Sequence, residues 1–199
     1  MSFQPTDPHY EDRVRTSFAR QRFMDVLGAQ LRVVRPGSCE IHLPYRKDLS
    51  QQHGFFHAGT IANIADTAAG YAAYTLMDAA SSLLTVEFKL SLLAPGSGAL
   101  LIARSHVIKP GRTLTVCQSD VVVRSNGEEK QCAVALITLI QLAGKADSHE
   151  TIPVVVEREG VERIRENAVA QPQREGASTL AIMKGSMKHA VYSLALRCS

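Results

Sequence analysis

The chain has 199 residues, 45% of them hydrophobic and 21% charged, with a formal net charge of +3. That balance suits one globular domain with a buried core and some appendage, and a charge this small gives no argument for nucleic acid as a partner, although it would not repel a phosphorylated ligand. The four cysteines, Cys39, Cys117, Cys132 and Cys198, have neither C-x-x-C nor metal-finger spacing, so buried thiols and no metal site are expected.

The opening M-S-F-Q-P-T-D-P lacks the basic region and apolar run of a secretion signal, which makes a reducing, cytoplasmic setting the expectation. Residues 9–27 place Val14, Phe18 and Val26 or Leu27 near one face and Arg13, Arg15, Arg20 and Arg22 elsewhere. This predicts an amphipathic helix ending at Gly28, with the arginines as its solvated face. Two extended runs, Q-L-R-V-V-R and S-C-E-I-H-L, then flank Pro36-Gly37 and predict a hairpin.

After a polar loop over 45–56, residues 57–77 are rich in alanine, and Ile61, Ile64, Ala65, Ala68, Ala69, Ala72 and Leu76 recur at helical spacing. One helix of about 30 Å is predicted. Apart from Asn63, Asp66 and a few hydroxyls it offers no polar face, so it belongs inside a fold. An Asp and an Asn near its middle, without flanking basic clusters, argue against a membrane span.

Four extended runs follow. The first, T-V-E-F-K-L-S-L at 85–92, alternates so as to put Val86, Phe88, Leu90 and Leu92 on one face. Pro95-Gly96-Ser97-Gly98, Pro110-Gly111 and Asn126-Gly127 separate it from the next three, which predicts successive hairpins and antiparallel neighbours. A helix apolar nearly all round needs cover, and a twisted antiparallel sheet is the element available to supply it. The expected architecture is therefore α+β: a hot-dog fold, a long central helix wrapped by a curved sheet, with an edge strand that favours a homo-oligomer. Residues 1–28 form a helical segment, 29–143 the hot-dog domain, and 144–199 an accessory tail in which residues 161–169 and the last twenty are candidate helices.

Asp66 is the anomaly. Its neighbours three and four positions away are Ala62, Asn63, Ala69 and Gly70, and no Lys or Arg occurs between Lys47 and Lys89. The carboxylate is exposed, paired from a distant part of the fold, or kept reactive.

The run Q-Q-H-G-F-F-H-A-G-T-I-A-N-I-A-D resembles the signature of hot-dog acyl-CoA thioesterases of the phenylacetate-degradation (PaaI-like) type, in which H-G-G is followed, after six residues, by Asp. The resemblance covers roughly residues 20–143, with Ala58 in place of the second-position Gly and Gln51 where many members have Asn. It implies that the thioester carbonyl approaches the helix start at Gly59, with Asp66, supplied across a subunit interface, as general base or nucleophile. Gln51 and Thr85 would position the water, and His57 would brace the loop rather than act as base. Ala58 and Asn63 would border the substrate. Lys89, Lys109, Arg112 and Arg124 are the basic residues within reach of the cofactor-like end, and Arg112, directly after Pro110-Gly111, is preferred for a phosphate. No separate cofactor is implied, since coenzyme A is part of the substrate, and the assembly would be a homodimer or homotetramer. From another functional class, a non-catalytic acyl-CoA binder that senses or sequesters the ester competes with this reading, but binding alone gives no reason to keep an unneutralised carboxylate beside an anionic ligand.

Overall fold

Val14 is fully buried and Phe18 sets its ring edge-on to Tyr71 at 5.7 Å, so helix α1 (Tyr10–Arg20) lies with its apolar stripe inward. The single helix expected over 9–27 is in fact broken. Gln21 adopts extended backbone (φ −74°, ψ 91°), and the chain restarts as the short helix α2 (Arg22–Leu27). The break turns Met24 and Leu27 into the core and leaves Phe23 and Val26 exposed, an arrangement no straight helix over these residues provides. Gly28 closes α2 in the left-handed region at φ 74°, where a side chain would be strained. The computed structural model describes residues 3–147, so the tail expectations, at residues 161–169 and the last twenty, lie outside the described residues, as does Cys198.

Strands β1 (Gln30–Arg35) and β2 (Ser38–Pro44) form the hairpin expected at Pro36-Gly37. The central helix α3 (Ala58–Tyr74) has 17 residues and so is shorter than the 57–77 span suggested by the sequence. Its end is fixed from outside. Arg13 of α1 donates to the carbonyls of Met77 (2.6 Å), Asp78 (2.9 Å) and Tyr74 (3.1 Å), pairs with Asp7 at 2.9 Å, and stacks 4.1 Å from the Tyr74 ring centre. A helix leaves its last carbonyls unpaired and carries partial negative charge there, so a guanidinium is well matched to the position. Arg13→Ala is expected to cost about 3 kcal/mol and to lower Tm by roughly 6–12 °C, because it strands a nearly buried carboxylate and three carbonyls. Thermal unfolding followed by circular dichroism checks this, and an unchanged Tm would contradict it.

Strands β3 (Ser82–Leu92), β4 (Leu100–Lys109), β5 (Leu114–Ser125) and β6 (Glu128–Leu142) complete one antiparallel sheet of six strands in the order β1-β2-β4-β5-β6-β3. The sheet curves over α3. Ile64, Ala65, Ala68, Ala69 and Ala72 of the helix join Ile41, Leu101, Cys117, Val121, Ile137 and Leu139 of the strands in one buried cluster. The small helix residues let the backbones approach closely; the Cys117 thiol meets the Ala69 carbonyl at 3.5 Å. Cys39, Cys117 and Cys132 are all buried thiols, and burial pushes their pKa up, to about 12, about 12 and about 11.

Two expectations about β3 need correcting. It does not pair with β4 as a hairpin would; it pairs with β6 and lies at the sheet edge. Residues 93–99 instead cross beneath the start of α3, where the Gly96 carbonyl accepts from the Phe56 N–H at 2.9 Å, and a Cβ on Gly96 would stand 3.2 Å from Phe56 Cβ and 3.3 Å from Ile61. The glycine there serves close packing rather than a tight turn. The alternation holds for Phe88, Leu90 and Leu92, which lie opposite the core residues Ile137, Ala135 and Ala133, but a bulge between Thr85 and Glu87 shifts the register and removes Val86 from that face, so that Leu83 and Leu90, one odd and one even, both pack on the core. Leu84, Val86, Phe88, Leu92 and Leu93 are left at 50–59% exposure, an apolar surface on an edge that is unpaired among the described residues.

Candidate functional site

Asp66 sits at the middle of α3 on the one helix face that the sheet does not cover, a half-exposed stripe with Ala62, Asn63, Thr67 and Gly70. The carboxylate accepts a hydrogen bond from Thr85 Oγ1 at 2.8 Å, from the bulged part of β3. Burial raises the Asp66 pKa above the ordinary carboxylate range and the Thr85 bond pulls it back only in part; no charged neighbour contributes. Of the three fates left open for this carboxylate, a distant ion pair is therefore absent among the described residues.

Helix α3 begins at His57, whose backbone is extended (ψ 142°) and whose Nδ1 accepts the Gly59 N–H at 2.9 Å. His57 is thus the N-cap, and the Gly59 N–H, expected to face a substrate carbonyl, is engaged by it. The N–H of Ala58 has no partner among the described residues and is the open donor of this helix end. Ala58 is the first helical residue and has no positive φ, so alanine fits where relatives of this pattern carry glycine. Gln51 turns its side-chain oxygen to the His53 N–H, and its backbone pairs with Phe55 and Gly54, so its amide stabilises the loop in the chain as it stands.

These residues fall into two separate hollows. Asp66 and Thr85 border a cavity of about 280 Å³ between α3, α1 and the start of β3. Gln51 and Ala58 border a second, of about 490 Å³, walled by Phe55, Ile61, Leu92 and Leu93. Ala58 and Asp66 are eight residues apart on one helix, which separates them by about 12 Å along its axis. One chain therefore does not bring the acid and the open helix end together. Asn63 lies between them, half-buried, with its side-chain oxygen unpaired among the described residues.

Lys89 is exposed on β3, and Lys109 and Arg112 are exposed at the β4–β5 turn, outside both hollows. Arg124 is held by Glu129, itself bound by Arg104, and is committed to the outer sheet face. The sequence reading missed the far wall of the Asp66 cavity: Ser17 from α1, Gln21 from the break after it, Tyr71 and Tyr74 from α3, and Asp147. The tyrosines could have been found, since they follow Asp66 at five and eight residues on the same helix. Nothing local to Ser17 or Asp147 marks them. Among the described residues, no group of three or more His, Cys, Asp or Glu side chains is placed to hold a metal, and no helix is long and apolar enough to cross a membrane.

Comparison with known proteins gives a consistent result. Residues 53–130 match the thioesterase superfamily. The fold is similar to that of a thioesterase family protein from Silicibacter pomeroyi, 45% identical with a TM-score of 0.67, over 68% of this chain and 99% of that one. The PaaI protein of the E. coli phenylacetic acid degradation operon shares the fold at 18% identity and a TM-score of 0.62, over 68% and 95% of the two chains. A protein of Saccharolobus solfataricus with a provisional esterase name is 28% identical over 99 residues, half of this chain and 68% of its own length.

Proposed function

Since the chain belongs to the thioesterase superfamily, we propose that it hydrolyses acyl-CoA thioesters to a free acid and coenzyme A, in a homo-oligomer whose site is shared between two subunits. The observation that carries the shared site is the position of the two hollows. Both open beside β3, one at Leu83 to Thr85 and the other at Leu92 and Leu93. If β3 pairs with its own copy antiparallel about a two-fold axis at Lys89, with Val86 left out of the ladder as the extra residue of the bulge, Thr85 falls opposite Leu92 of the partner subunit. The acid end of one chain then meets the helix start of the other. The same pairing covers the apolar edge and satisfies its free backbone groups.

In that arrangement the thioester oxygen lies at the helix N-terminus, facing the Ala58 N–H and, once His57 turns aside, the Gly59 N–H. Asp66, held through one oxygen by Thr85, has the other for the water proton. The water oxygen bonds to the carbonyl carbon, the C–S bond breaks, and the proton passes to the departing thiolate. Direct attack by Asp66 would instead give an anhydride that water then opens at the Asp66 carboxyl carbon, leaving the water oxygen on the enzyme. A single turnover in ¹⁸O-water separates the routes, because only the first puts label into the acid released. Exposed Arg112 and Lys89 are the candidates to meet phosphates, Asn63 would border the bound ester, and buried thiols suit a reducing, cytoplasmic setting. A panel of acyl-CoA esters of differing length, assayed with a thiol reagent, tests the reading; absence of thiol release from every ester would overturn it.

A further inference from the structure

The wall of the Asp66 cavity opposite the carboxylate is polar, in a hollow otherwise lined by Leu83, Leu84, Gly70 and tyrosine rings. Its hydrogen-bond directions can be worked out by counting protons. Ser17 has one hydroxyl proton, and it is given to Asp147 Oδ2 at 2.5 Å. The contact of 3.3 Å between Ser17 Oγ and the Tyr71 hydroxyl must therefore use the tyrosine proton. Burial pushes the Tyr71 pKa up to about 12, so the phenol keeps that proton at neutral pH. What remains open at this end, among the described residues, is acceptor capacity on the Tyr71 oxygen, since the Asp147 carboxylate is engaged by Ser17 and Arg20. Arg20 pairs with Asp147 at 2.6 Å, which partly neutralises it and fastens this part of the chain to α1.

Resting on the thioester hydrolysis proposed above, we propose that the acyl group enters this cavity and that the Tyr71 oxygen reads its far end, selecting short acyl chains that terminate in a hydroxyl. Length follows from the helix. Tyr71 is five residues beyond Asp66, about 7.5 Å along the axis, a distance that an extended chain of roughly six carbons covers. A longer chain would have to displace Ser17 of α1 and Gln21 at the break after it. A plain alkyl end would leave the buried phenol oxygen of Tyr71 without a donor, which is where discrimination arises.

The test compares kcat/KM for hexanoyl-CoA, 6-hydroxyhexanoyl-CoA and palmitoyl-CoA in the full chain and in Tyr71→Phe and Ser17→Ala. The parent is expected to favour the hydroxylated ester over hexanoyl by about tenfold, mainly through KM, and to cleave palmitoyl most poorly. Tyr71→Phe should bring the hydroxyl preference down to about one, whereas Ser17→Ala, which frees the tyrosine proton but keeps its oxygen, should retain a preference. Equal use of the two six-carbon esters by the parent, or a preference untouched in Tyr71→Phe, would overturn this inference while leaving thioester hydrolysis standing. Absence of cleavage of all three and of every ester in the wider panel would instead remove the underlying function.

Discussion

Asp66→Asn is expected to lower kcat for acyl-CoA hydrolysis by about 10²- to 10⁴-fold with the fold intact, the usual weight of a positioned base. Asparagine keeps the shape and still accepts the Thr85 hydroxyl, so what is lost is the capacity to take a proton or to attack carbon. The pH behaviour follows from the same burial. A carboxyl with its pKa raised by desolvation must ionise before it can act, so the acid limb of the rate profile should lie above the ordinary carboxylate range. For stability the sign is opposite. A raised pKa means that the folded state favours the protonated carboxyl; that stabilisation is present below the unfolded pKa and lost as pH rises through the folded one. At neutral pH the charge is a cost, and Asp66→Asn should melt at or above the parent temperature. Thiol release at the parent rate in this variant would remove Asp66 from the mechanism.

The second large effect concerns the β3 edge. Phe88→Asp places a charge on the apolar edge of each copy, close to the proposed two-fold axis, where like charges oppose each other. Sedimentation should show the assembly dissociating, with far-UV circular dichroism unchanged, since Phe88 is 50% exposed in the chain and contributes little to its core. Activity should fall at least about a hundredfold, because neither subunit alone brings its acid and its helix end together in one hollow. Mixing supplies a sharper version. Asp66→Asn chains and Gly59→Val chains, each nearly inactive, should recover about a quarter of parent activity once subunits exchange, because half the dimers are mixed and each mixed dimer has one complete site of two. A monomeric Phe88→Asp with full activity, or mixtures that recover nothing, would refute the shared site.

Much of the chain could be read before any coordinates. Alanines at helical spacing, three of the strands and the Pro36-Gly37 hairpin are local properties, written in a window of ten to twenty residues. So is the isolation of Asp66, whose lack of basic neighbours is visible in the order of residues and persists in the structure, where only Thr85 reaches it. The sequence by itself thus determined which helix is central, which carboxylate is unneutralised, and that a sheet must wrap it. The tertiary structure alone decided that β3 skips β4 to pair with β6, and that Ser17, Tyr71 and Asp147 close the cavity opposite Asp66. The reason is range. Helix propensity, alternation and charge spacing act between near neighbours, whereas strand order and cavity walls arise from contacts between residues far apart in the chain, such as Leu92 with Ala133 and Ser17 with Asp147, which compete on packing and carry no local signature.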